Sequence, residues 1–137
     1  MSEVPGTMCK VLIADSDAFE GDYVADTLRR TGVEVAGPLH TRDEVLSVLD
    51  RTPVPEVVVL GAQLRDGASS EVLDELRRRG IRHMVLIGAG EDHALGDLTA
   101  TPVLAKPFAA YQVADWVRGT ADTPALVIVA PETDAAA

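Results

Sequence analysis

Two short stretches of this chain carry the residue types from which a reactive centre could be built. Asp15-Ser16-Asp17 follows one apolar run, and Lys106-Pro107-Phe108 follows another much later in the chain. Carboxylates supply nucleophiles, general acids and bases, and cation ligands, while an ammonium group balances anionic charge. Each group also has an ordinary structural use. An aspartate just ahead of a helix caps its free N–H groups, and Asp17 stands where such a cap is expected. Lys106 lies between an apolar strand and Pro107-Phe108, which argues against a free surface lysine. His40, His83 and His93 lack metal-ligand spacing, so no metal site is expected. Gly88-Ala89-Gly90 could open a phosphate-binding loop, but the third glycine of G-x-G-x-x-G would fall on His93, so no nucleotide cofactor is expected.

The elements that must position these residues are marked by regular punctuation. The run over residues 10–14 reads as a strand and stops at Asp15. A helical stretch follows to Arg30, with Gly32 just past its end. Val33 to Ala36 reads as a short strand ended by Gly37-Pro38. Residues 41–50 read as a helix with Thr41 as N-cap and Glu44 completing a capping box. Val57 to Leu60 is a β-branched strand ending at Gly61. Ser69 or Ser70 caps a helix to Arg79 that places Val72, Leu73 and Leu76 on one face, with Gly80 beyond it. Residues 84–87 form a fourth strand, 91–98 a short helix, 103–105 a fifth strand, and 108–118 a last helix.

Apolar strands alternating with helices through short links require right-handed crossovers. The expected fold class is therefore α/β: an open, doubly wound, five-stranded parallel sheet with helices on both faces. In such sheets ligands gather at the carboxyl ends of the strands. Those ends are Asp15-Ser16-Asp17, Gly61, Ile87-Gly88 and Lys106-Pro107, so two carboxylates and a lysine converge on one edge.

Composition sets the outer bounds. The chain has 137 residues, room for one domain, and 47% of them are hydrophobic against 4% aromatic, the palette of buried parallel strands. Twelve basic residues face 22 acidic ones, for a net charge of −10, which argues against nucleic acid as a partner. Residues 1–8 carry no basic start, and no stretch has the ~20 apolar residues needed to cross a bilayer, so a soluble, cytoplasmic protein with no membrane partner is expected. The lone Cys9 cannot form an intramolecular disulfide and opens an apolar run, where a buried, inert thiol is expected.

Over residues 8–119 the sequence resembles the receiver domain of two-component response regulators. The resemblance rests on the acidic cluster after the first strand, the βα units of suitable length, and Lys106-Pro107-Phe108. The stretches Val35-Ala36-Gly37-Pro38 and Gln63-Leu64-Arg65-Asp66-Gly67 also look like loops of that family. The resemblance implies an aspartate nucleophile ending the third strand, a divalent cation on acidic groups, a lysine at the phosphoryl oxygens, and a switch hydroxyl ending the fourth strand. Matched residue by residue, the phosphoacceptor position falls on Gly61 and the second acidic position on Ser16, between Asp15 and Asp17. The switch hydroxyl falls on Ile87 or Gly88, the aromatic switch partner on Val103, and only Lys106 is unchanged. The resemblance thus implies a degenerate pseudo-receiver with no phosphoacceptor, no metal and no enzymatic activity. In its vestigial pocket Lys106 is expected to pair with Asp15 or Asp17 directly, and a small ligand held there is an alternative use.

Such a module would act in signal transduction by phosphorylation-independent binding of protein partners. Val103 and, on the last helix, Tyr111 and Trp116 are the candidate partner surface; core packing is the first reading of Trp116, and a partly exposed Trp116 contacting a partner is the alternative. A second functional class is a magnesium-dependent phosphatase of haloacid-dehalogenase type, with Asp15 as nucleophile, Asp17 as acid/base and Lys106 as charge stabiliser. Neither Ile87-Gly88 nor the region of Gly96-Asp97 supplies the hydroxyl and acidic pair which that family needs. Residues 120–137 read as a linker, an apolar segment over 125–130 expected to add a strand or to exchange in a homodimer, and a polar tail.

Overall fold

The computed structural model describes residues 10–51, 53–88, 90–91 and 95–119. Five parallel strands form one sheet in the order β2-β1-β3-β6-β7. They are β1 (Lys10–Ala14), β2 (Glu34–Leu39), β3 (Val57–Gly61), β6 (Arg82–Ile87) and β7 (Val103–Ala105). The helices are α1 (Ala18–Arg30), α2 (Arg42–Leu49), α3 (Ser70–Arg79) and α4 (Ala110–Val117). Two short strands, β4 (Gln63–Leu64) and β5 (Gly67–Ala68), pair antiparallel after β3, where a plain loop was expected.

Alternation along the buried strands divides the core in two. Val11, Ile13, Val57, Val59, Met84, Leu86 and Leu104 face α1 and α4, with Leu28, Val113 and Trp116 in the same cluster. Leu12, Ala14, Val58, Leu60, Val85 and Ile87 face α2 and α3, with Val45, Leu49, Val72, Leu73 and Leu76. Strands apolar on both faces follow from this double cover.

Thr41 and Glu44 make the expected capping box, each side chain meeting the other residue's backbone N–H at 3.1 Å. α3 ends at Gly80 in a left-handed conformation, φ 70°. β2 runs past Ala36 through the glycine and proline expected to end it. Its pairing with β1 shifts register between Leu12 and Ala14, and Gly37 absorbs the irregularity at φ 95°. A Cβ there would lie 2.7 Å from the Ile13 carbonyl oxygen, so only glycine fits.

On the outer elements one expectation changes and one alternative falls. The helix over 91–98 falls partly on residues outside the description, and 96–98 are irregular. Trp116 is only 3% exposed, so it is a core residue rather than part of a partner surface. The Arg82 guanidinium lies 4.1 Å from its ring centroid and donates to the Trp116 and Val117 carbonyls at 2.6 and 3.2 Å, sealing the last turn of α4. Cys9, His93 and the segment over 125–130 lie outside the described residues. No helix among the described residues is long and apolar enough to cross a membrane.

Candidate functional site

The carboxyl ends of β1, β3, β6 and β7 bring Asp15, Gly61, Ile87-Gly88 and Lys106 to one edge, as expected. Asp15 is 1% exposed and held from several sides. Its N–H donates to the Leu39 carbonyl at 2.9 Å, and its own carbonyl accepts from His40 Nδ1 at 2.8 Å. Its Oδ1 accepts from the Asp17 N–H at 3.0 Å, while Oδ2 is buried without a hydrogen-bond partner.

Asp17 points away from this centre and caps α1. Its Oδ1 accepts from the N–H groups of Phe19 at 2.9 Å and Glu20 at 3.4 Å. The consequence reaches Glu20. A glutamate three residues after an N-cap ordinarily bonds back to the N-cap N–H. Here Asp15 has already taken the Asp17 N–H, which frees Glu20 to turn into the pocket.

Glu20 is the central residue that sequence reasoning missed. Its Oε1 lies 2.8 Å from Lys106 Nζ, an ion pair about a quarter exposed on each side. The direct pairing of Lys106 with Asp15 or Asp17 is therefore corrected: the lysine meets Glu20, and Asp15 acts on it only as a nearby charge. Burial pushes the Asp15 carboxyl up to about 7, helped by the neighbouring Glu20 carboxyl, against the opposing pull of the Asp17 N–H and of Lys106. Asp15 thus keeps its proton up to near neutrality. Burial works against the Lys106 ammonium, but the bond with Glu20 and the charges of Asp15, Glu20 and Glu91 outweigh it and raise its pKa above the ordinary lysine value.

At Gly61 the backbone of β3 runs tight against Asp15. A Cβ built on Gly61 would lie 3.3 Å from the Ala14 carbonyl oxygen and 3.6 Å from Asp15 Cγ. The Gly61 carbonyl accepts from buried Ser69 Oγ at 2.5 Å. Ser69 does occupy the N-cap position of α3, but its side chain makes no cap bond because β3 takes its hydroxyl. At the end of β6, Ile87 is 8% exposed and the Gly88 N–H donates to Glu91 Oε1 at 2.7 Å. Ser16 offers the pocket no acid, and its carbonyl accepts from Arg65 Nε at 3.1 Å.

A divalent cation does not fit this donor set. Gly61 has no side chain, Ser16 carries no carboxylate, and Glu20 Oε1 is paired with Lys106. Among the described residues no three His, Cys, Asp or Glu side chains group as a metal would require. Of the outer positions, Tyr111 is 65% exposed, whereas Val103 is partly buried against the α2–α3 core.

No family model matches the chain, and no curated protein matches it either. Solved structures do. A response regulator receiver protein from Sinorhizobium medicae superposes with a TM-score of 0.72 at 18% identity, over 85% of this chain and 97% of that one. SdrG from Sphingomonas melonis Fr1 gives 0.68 at 24% identity, over 79% and 92%. The Francisella response regulator 1452 receiver domain gives 0.62 at 18%, over 80% and 93%. The chain has the flavodoxin-like fold of receiver domains, a five-stranded parallel sheet flanked by four helices.

Proposed function

We propose that this chain is a receiver-type signalling module that acts without being phosphorylated, by binding a protein partner in the cytoplasm. The receiver fold supports the signalling class. The observation that carries the finer reading is the pocket: with Gly61 ending β3, no nucleophile stands beside Lys106, and Glu20 occupies the lysine instead. A receiver works by coupling new phosphoryl charge to a hydroxyl that moves, and Ile87-Gly88 has none. The reading includes no catalytic residue, no resident metal and no nucleic-acid partner.

The phosphatase alternative is not favoured. Its nucleophile would be Asp15, which is buried with its charge suppressed, and its acid/base would be Asp17, which holds the end of α1. Incubation of the chain with magnesium and acetyl phosphate, followed by intact mass measurement, tests the proposal. No gain of a phosphoryl group is expected; a stable adduct on Asp15, Asp17 or Asp66 would overturn it.

A further inference from the structure

Among the described residues, every lysine and arginine side chain bonds a carboxylate or a carbonyl oxygen except Lys10, Arg30 and Arg51. In a chain where 22 acidic residues face 12 basic ones, a cation left without a partner asks for a reason. Lys10 and Arg51 line the same cavity, of about 240 Å³. Its other walls are apolar: Leu12, Ala36, Val48, Pro53 and Pro55. Leu12 and Ala36 are paired neighbours on β1 and β2, and Val48 comes from the last turn of α2. The two prolines follow the end of α2, and the Glu56 N–H donates to the Lys10 carbonyl at 3.0 Å, holding this loop against β1. The cavity opens toward the start of β1, away from the carboxyl edge where Asp15 and Lys106 meet.

The lining decides what could enter. Proline has no N–H, and no lining side chain carries a hydroxyl or an amide, so the side-chain donors are the Lys10 ammonium and the Arg51 guanidinium. Two cations suit the two oxygens of a carboxylate. The surrounding acids tell against a more highly charged anion. Glu34, opposite Lys10 in the β1–β2 register, and Glu56 are exposed nearby, and neither pairs with the lysine. Asp43 and Glu44 line an adjoining hollow together with Arg51, while Asp50 is taken by Arg79 at 2.7 Å. A phosphate dianion would meet this field with too few donors for its oxygens.

We propose that the cavity between α2 and the β1–β2 edge binds a small apolar monocarboxylate, its carboxylate on Arg51 and Lys10 and its hydrocarbon body against Val48, Ala36 and the two prolines. The volume is below the roughly 300–1,000 Å³ of drug-sized sites, which limits the occupant to an acid the size of benzoate or hexanoate. The C-terminal residue of a peptide offers the same chemistry. The site shares no residue with the carboxyl-edge pocket, so each can fail alone.

The test is a titration of the isotope-labelled full chain with sodium benzoate and with hexanoate, followed by amide chemical shifts. Benzamide and hexanamide keep the apolar body without the charge, while acetate and phosphate keep charge without the body. Saturable shifts are expected at residues 10–12, 35–37 and 48–51 with both acids, and binding at least about tenfold weaker with either kind of control. Arg51→Gln and Lys10→Gln should each weaken binding at least about fivefold, and Arg30→Gln, which alters the third free cation, should not. All three variants should keep the parent's dispersed spectrum, because none of these side chains has a partner to lose. A short peptide ending in leucine, compared with its C-terminal amide, separates the two sources: tighter binding of the free-carboxyl peptide than of hexanoate supports the site with a chain end as occupant, and weaker binding supports it with a free acid. No saturable shift with either acid, shifts centred elsewhere, equal binding of benzamide, or unchanged affinity in Arg51→Gln would overturn the proposal.

Discussion

The carboxyl-edge pocket and the outer face of α1 and α4 treat their charges in opposite ways. In the pocket, burial holds the Asp15 carboxyl protonated up to about pH 7, and the Lys106 ammonium is paired with Glu20. On the outer face, Asp22 and Asp26 are exposed on α1, whose rings Phe19 and Tyr23 remain in water. A group already satisfied inside the fold has little to gain from a ligand, whereas an exposed aromatic gains its burial on binding. The residues best placed for chemistry are thus the quietest.

Substitution at Gly61 should break this contrast most strongly. Gly61→Asp adds a third carboxylate beside Asp15 and Glu20, and like-charge repulsion with burial should cost about 2–4 kcal/mol at pH 8, read by urea denaturation. The cost should shrink at pH 5, where Asp15 is protonated. The variant should still not respond to acetyl phosphate with a change of shape, since Ile87-Gly88 offers no hydroxyl.

Removing the cation comes next. Lys106→Met leaves the two carboxyls without their counter-charge, and a loss of about 1–3 kcal/mol at pH 8 is expected, smaller in acid.

The pH dependence of stability sharpens the contrast further. The folded-state pKa of Asp15, about 7, lies above its ordinary value of 3.8, so the native chain keeps a proton that the unfolded chain has released. Stability therefore falls as pH rises from about 4 to about 7 and levels off above. Asp15→Asn abolishes this titration. Its curve should be flatter over that window, and above pH 7 it should be at least as stable as the parent. The amide still accepts from the Asp17 N–H and can donate to Glu20. An unchanged slope in Asp15→Asn would show that the pocket does not hold the proton.

The smallest effect belongs to the outer face. Phe19→Ser and Tyr111→Ser should each change stability by less than about 0.5 kcal/mol, because little is lost from the fold when an exposed ring is removed. A larger loss would mean that these rings pack within the fold.

How far the sequence discloses this arrangement depends on how local each determinant is. The strands were legible because β-branched runs buried on both faces have few alternatives, and their carboxyl ends gave the positions of Asp15, Gly61 and Lys106. Asp17-x-x-Glu20 and Thr41-x-x-Glu44 are the same pattern in sequence. The second becomes a capping box, while the first gives its glutamate to the pocket because Asp15, from the preceding strand, holds the N-cap N–H. The one signal that could have found Glu20 is that an acid in the first turn of α1 lies near the carboxyl edge. Trp116 stood at the margin of the apolar sector of α4; it joins the core cluster, with Arg82 from β6 over its ring. The β4–β5 hairpin, with two residues per strand, is too short to leave a period-2 pattern.

The central claim, that the pocket is closed upon itself, is tested most directly by the backbone amide shifts of Asp17, Gly88 and Lys106 as magnesium and then acetyl phosphate are added to the full chain. These three N–H groups donate to Asp15, to Glu91 and to the Ile87 carbonyl, and so report on the pocket walls. The account predicts no shift at these residues beyond the small, uniform change produced by an equal ionic strength of sodium chloride. Saturable shifts at Asp17 and Lys106 with millimolar magnesium, extended to Gly88 by acetyl phosphate, would contradict it.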